Sequence, residues 1–153
     1  MPSDKQAMHL AQFNIARAKA PLDSPVMKEF VDNLVLINAI AETSEGFIWR
    51  LQDESGDATN IKLFDDPLII INMSIWESIE SLRNFVFRSR HLDFLKKKKL
   101  WFEKAEQPNL VLWWIPPGHI PSLEEAKNKL SYLKKHGETS HAFGMAGAIK
   151  EKT

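Results

Sequence analysis

The chain has 153 residues, enough for one domain with a real core, and 44% hydrophobic with 26% charged residues is the balance of a soluble globular protein. Twenty basic and twenty acidic residues cancel, so the basic excess expected of a nucleic-acid or anionic-membrane binder is missing. The absence of cysteine excludes disulfides, thiolate nucleophiles and Cys-ligated metals.

Residues 1–7 read as a polar leader without the apolar core of a signal peptide, and no apolar run approaches the ~20 residues of a membrane span. The expectation is a cytoplasmic protein with no membrane and no nucleic-acid partner. His9 to Arg17 alternates as a first strand: Ala11, Phe13 and Ile15 share one face, Leu10, Gln12, Asn14 and Ala16 the other. Ser24-Pro25 starts a helix to about Thr43, with Phe30, Leu34, Ile37 and Ala41 as its apolar stripe. Phe47 to Gln52 is the second strand, with Phe47, Trp49 and Leu51 on one face and Ile48, Arg50 and Gln52 on the other. The acidic connection Asp53 to Pro67 is long for a hairpin and is a candidate lid.

The central stretch is Leu68 to His91. Its strand half is β-branched and apolar, as suits burial on both faces. Ile69, Ile71, Met73 and Ile75 point one way and call for helices. Leu68, Ile70, Asn72, Ser74 and Trp76 point the other way, and their buried amide needs hydrogen-bond partners. Ser78 caps the following helix, which carries Ile79, Leu82, Phe85 and Val86. A further helix runs from His91 to Lys104, broken from its predecessor near Ser89, with Lys96 to Lys99 in solvent. Asn109 to Ile115 is the fourth strand, ended by Pro116-Pro117-Gly118. Ser122 caps a last helix, with Glu125 placed to complete a capping box, and Gly137 stops it. A single domain at 8–137 is expected; the tail 138–153 either adds an edge strand at Ala142–Ala146 or is disordered.

The order β-α-β-β-α(α)-β-α is the α+β, ferredoxin-like split βαβ with a four-stranded antiparallel sheet and an extra C-terminal helix. One sheet face is covered by its own helices. The mixed face, with Asn14, Arg50 and Asn72, would be covered by the same face of a second copy, closing a dimeric α/β barrel around a pocket.

The segments HLAQFNIAR, GFIWRLQDESGDAT, INMSIWESIESLRNFVFRSRH and LVLWWIPPGHIPS resemble an uncharacterised bacterial domain-of-unknown-function family. The likeness covers about residues 8–136. That family is placed in the dimeric α/β-barrel superfamily beside the antibiotic biosynthesis monooxygenases. The resemblance implies a homodimer with a pocket between sheet and helices. Cofactor-free members use Asn, Trp and Arg, a set that Asn14, Trp76 and Arg50 could supply. Haem-degrading members use a first-strand Asn and a His after the second helix, roughly where Asn14 and His91 stand; here Phe85 replaces the helix Trp, and its spacing to His91 is shorter.

The expected reading is a monooxygenase-like enzyme for a small hydrophobic molecule, aromatic or polyketide-like, needing no cofactor and no metal. Asn14, Arg50 and His91 are its catalytic candidates; Asn72, Trp76, Trp49 and Trp114 are its substrate-binding candidates. The alternatives are a ligand-binding dimer without turnover and a haem-binding oxygenase. Each candidate also has a structural reading: asparagines bonded across the sheet, Arg50 paired with Asp53, Glu54 or Glu77, His91 at a helix end, tryptophans as core. No phosphate loop, dinucleotide fingerprint, nucleophile elbow or zinc-protease motif is present.

Overall fold

The structure, a computed structural model, describes residues 8–145 apart from 54, 55, 57, 60 and 90. Strand β1 (His9–Arg17) is followed by a 3-10 turn at Pro25–Met27 that runs into helix α1 (Lys28–Thr43). Then come β2 (Phe47–Arg50), β3 (Ile69–Trp76), α2 (Ile79–Arg88), the short α3 (His91–Lys96) and α4 (Lys98–Trp101), β4 (Leu110–Ile115) and α5 (Leu123–His136). The strands form one antiparallel sheet in the order β2-β3-β1-β4, the ferredoxin-like arrangement. The two longest strands, β1 and β3, pair along their length and stand at the centre of the sheet.

Both faces are covered by the chain itself. Ala11, Phe13, Ile71, Met73, Ile75, Val111 and Trp113 bury the apolar face against Ala126, Leu130 and Leu133 of α5. Leu51, Ile61, Leu63 and Phe64 complete that cover, and Lys127 of α5 lies over the Phe64 ring at 5.3 Å. The connection after β2 is therefore anchored core rather than a lid, since its apolar residues remove more surface from water on the sheet than they would in solvent. Glu54 and Asp57 of that connection lie outside the described residues.

The mixed face is the one under the other helices. One cluster joins Leu10, Trp76 and Leu112 to Ala41 of α1 and to Ile79 and Leu82 of α2. A second joins Ala18 and Ile70 to Met27, Phe30 and Trp101. This corrects the expectation of a face left for a second copy. The alternation identified the two faces, but α5 takes the apolar one and α1 to α4 the mixed one.

Local signals mostly hold. Ser78 accepts from Ser81 N at 3.1 Å and Ser122 from Glu125 N at 3.0 Å, so both cap their helices. Ser24 makes no side-chain cap; its hydroxyl donates to the Pro21 carbonyl at 2.5 Å, and the helix opens with a 3-10 turn. Glu125 does not close a capping box, because its carboxylate accepts from Trp113 Nε1 at 3.0 Å and meets His119 Nε2 at 2.8 Å. A buried indole N–H must find an acceptor, and that need outranks the cap. In the tail, Phe143 exchanges backbone hydrogen bonds with Leu112 at 2.7 and 3.0 Å, one bridge on the β4 edge; Ala146 lies outside the described residues.

The turn between α1 and β2 is tight. Gly46 has φ +84°, and a Cβ there would stand 2.4 Å from Ser81 Cβ at the start of α2. Gly46→Ala is expected to cost about 2–4 kcal/mol from left-handed backbone strain plus overpacking, read as a lowered urea midpoint with unchanged slope.

Candidate functional site

The register lays out the helix-covered face in rows. Phe47, Trp76, Leu10 and Trp114 form one apolar row across the sheet. Arg50, Ser74, Gln12 and Leu112 form the next, then Asn72, Asn14 and Leu110, then Ile70 and Ala16. Five polar side chains on three adjacent strands thus make an island between apolar rows. The two hydrophobic clusters lie on either side of it, one at Trp76 and one at Ile70.

The island is internally bonded. Gln12 Nε2 donates to Asn72 Oδ1 and to Ser74 Oγ, both at 2.9 Å. Ser74 Oγ also accepts from Trp76 Nε1 at 2.9 Å. Gln12, Ser74 and Trp76 are buried, yet Asn72, at the middle of the sheet, is exposed and Asn14 beside it is half-buried. The helix layer therefore leaves the island open at the Asn72 row. Two buried groups of the island, Gln12 Oε1 and Arg50 Nε, make no hydrogen bond among the described residues; a third such group, Arg83 Nε, lies on α2. The Arg50 side chain is 10% exposed, and the Glu42 carboxylate stands 3.5 Å from Nε, near enough to pair charge without a hydrogen bond. Glu42 reaches Arg50 because α1 packs over β2; of the partners expected from the sequence, Glu54 lies outside the described residues. Ser74 stands between Arg50 and Gln12 in the row; the guanidinium N–H suits a ligand that carries an anionic oxygen, and the amide oxygen calls for a donor.

His91 stands in the helix layer over the same face. Its ring contacts Phe85 of the first cluster at 4.8 Å and Phe94 of the second at 6.5 Å, so it stands where the two clusters part. Nδ1 lies 3.2 Å from the Val86 carbonyl. Only a protonated Nδ1 can donate to that oxygen, which leaves Nε2 as the ring's acceptor. Burial lowers the His91 pKa below the ordinary imidazole value, and the Val86 hydrogen bond only partly offsets this. The ring is thus a neutral base at pH 7.

That shift has a stability consequence. The unfolded chain takes up the His91 proton near the ordinary imidazole value, whereas the folded chain resists it until lower pH. This contribution is complete above about pH 6.5 and is lost as pH falls through the lowered folded pKa. His91→Gln should flatten that part of the pH dependence, measured by urea unfolding between about pH 7.5 and 5.

The structure puts Asn14, Arg50 and Asn72 on one sheet face, His91 in the helix layer over that face, and Trp76 in the wall, stacked on Phe85 at 5.2 Å and edge-on to Phe47 at 5.5 Å. Trp114 shares the face but lies on edge strand β4, 6.4 Å from Phe143. Trp49 lies on the opposite face, against the cluster under α5. Alternation with Arg50 already puts it there; what changes is Phe47, because of a bulge between Phe47 and Trp49. It breaks the alternation, so Phe47 joins Arg50 on the island face instead of sharing a face with Trp49. Gln12 and Ser74 are functional candidates that were missed; their parity with Asn14 and Asn72 was the signal. A separate open depression of about 590 Å³ lies along α5, lined in part by Glu125, Lys129, Tyr132 and His141, away from the island. Among the described residues, no cluster of three or more His, Asp or Glu could hold a metal ion, and no helix is long and apolar enough to cross a membrane.

A family model described as a domain of unknown function, DUF3291, matches residues 9–153. No curated protein matches the chain. A crystal structure of a protein of unknown function from Nitrosomonas europaea is similar in fold at TM-score 0.52 and 12% identity, covering 76% of this chain and 98% of that one. A Pseudomonas aeruginosa protein matches at 0.48 and 13%, covering 74% and 98%. A Chloroflexus aurantiacus protein provisionally named an antibiotic biosynthesis monooxygenase matches at 0.43 and 15%, covering 75% and 98%.

Proposed function

The chain belongs to the DUF3291 family, and from the site it carries we propose that it oxygenates a small hydrophobic molecule, aromatic or polyketide-like, without metal or flavin. The observation that carries this reading is the polar island, open at Asn72, with Arg50 Nε in its floor making no hydrogen bond among the described residues and His91 in the helix layer over the same face. Such a set can hold an ionised substrate oxygen and remove a proton beside it. Arg50 and Asn14 would take the developing oxyanion, and His91 Nε2 would take the proton. The resulting carbanion reduces dioxygen and is captured as a hydroperoxide. Loss of the second C–H proton with O–O cleavage then leaves a carbonyl, and the other oxygen departs as water. The apolar rows around the island exclude bulk solvent during these steps.

A porphyrin does not fit this face. Only the Asn72 row is open, while Gln12, Ser74 and Trp76 are covered, and a flat macrocycle would span several rows. The second reading is a binding protein without turnover. It is favoured by one fact: Gln12 Nε2, Ser74 and Asn72 are largely spent on one another.

The deciding experiment is an oxygen-electrode screen of the purified protein with hydroxylated aromatic and polyketide-like probes, with mass analysis of each probe afterwards. Uptake with a product sixteen minus two mass units heavier, the CH2 to C=O change, supports the enzyme. Saturable binding with the probe recovered unchanged supports the binding protein. A probe set that neither binds nor reacts contradicts the assignment of the site.

A further inference from the structure

With both sheet faces covered, the most exposed apolar surface of the described residues runs along α1. Val35 is 77% exposed at its crest, and Val31 and Leu36 flank it at 38% each. Helix propensity does not call for this: valine loses rotamer freedom in a helix, and an exposed helix position is better filled by Lys, Glu or Ala. The inward stripe, Phe30, Ile37 and Ala41, is complete without these residues. An apolar row on the outer side of a helix that already has its inner one marks a contact surface.

The charges on the same crest name the occupant. Lys28 lies seven residues before Val35, and Glu42 seven residues after it, both exposed. On a helix that spacing is two turns, so both sit nearly on the Val35 line. About a two-fold axis through Val35, an antiparallel copy of α1 sets Val35 against Val35 of the partner subunit and Val31 against Ala39 of the partner subunit. Lys28 then meets Glu42 of the partner subunit at each end. A two-fold interface must be complementary to itself, and opposite charges at equal distances on either side of an apolar centre meet that requirement.

We propose that two copies of the chain associate through antiparallel packing of α1 on α1, with Val35 at the two-fold axis. One helix pair is a small interface by the standard of stable dimers, so dissociation falls in the micromolar range. Lys28 now pairs with Asp32 one turn on, at 2.6 Å between exposed groups, a hold weak enough to be exchanged. Glu42 is also the carboxylate beside Arg50. A partner's lysine at Glu42 would share it with that guanidinium, which joins the contact to the edge of the island. The dimer itself does not depend on the oxygenase reading.

Sedimentation-velocity and light-scattering measurements across the micromolar range test this on the full chain. The wild type should show a concentration-dependent dimer. Val35→Glu, at a position too exposed to disturb the fold, should raise the dissociation constant at least about tenfold with an unchanged circular-dichroism spectrum. Lys28→Glu should weaken the dimer, and the double variant Lys28→Glu/Glu42→Lys should restore it. A monomer throughout, a dimer indifferent to Val35→Glu, or a charge reversal that the double variant fails to rescue would each overturn the proposal.

Discussion

Arg50→Ala should lower the rate of oxygen uptake by about 10²–10³-fold, the loss that follows removal of one fixed oxyanion partner. The expectation rests on three features of the residue. It is nearly enclosed, its Nε–H makes no hydrogen bond among the described residues, and the Glu42 carboxylate stands 3.5 Å away. A guanidinium already satisfied by a bidentate carboxylate would have little to offer a substrate; this one retains donors in a site shielded from water. Lys97→Ala serves as the control, because Lys97 pairs with Glu29 on the surface, away from the island. Arg50→Lys should recover little, since an ammonium cannot reproduce the planar fork. Loss in kcat, rather than in KM alone, would place the contact in the transition state. Equal activity in Arg50→Ala and wild type would remove the oxyanion role.

The largest effect on stability should come from Trp76. Its side chain is fully buried, stacked on Phe85, edge-on to Phe47, and hydrogen-bonded through Nε1 to Ser74. Trp76→Ala is expected to cost about 3–5 kcal/mol, lost transfer free energy plus the cavity left behind. That is a large share of the ~5–15 kcal/mol that holds a domain folded. Trp76→Phe removes the N–H donor together with the pyrrole part of the indole, and should cost less than the full truncation, about 1–3 kcal/mol. Urea unfolding of the two variants grades the loss of packing at this position. A cost near zero for Trp76→Ala would mean that the wall of the island is loose. Trp76 is covered by Phe47 and Phe85, so its part in ligand binding is to fix Ser74 and Phe85 rather than to touch the ligand itself.

Much of this was legible in the residues. Strand alternation placed Asn14 and Asn72 on one face, the helical stripes gave α1, α2 and α5 their inner sides, and Ser78 and Ser122 marked helix starts that the structure keeps. These are short-range consequences of periodicity and capping, which a chain carries without knowing its neighbours. Alternation failed at one place, between Phe47 and Trp49, where a single extra residue turned Phe47 away from the face of Trp49 and onto that of Arg50. A bulge leaves no mark in a four-residue apolar strand, so the error was set by pairing rather than by composition.

The element order and the division of each strand into two faces were thus determined by the amino-acid sequence. Which helices cover which face was decided only by tertiary structure, since an apolar stripe states that it must be buried but not against what. The same holds for the site. Gln12, Ser74 and Arg50 are ordinary polar residues until three strands align them, and burial beside Phe85 and Phe94 is what lowers the His91 pKa. Register and burial are long-range properties, and they turned scattered polar residues into one candidate site.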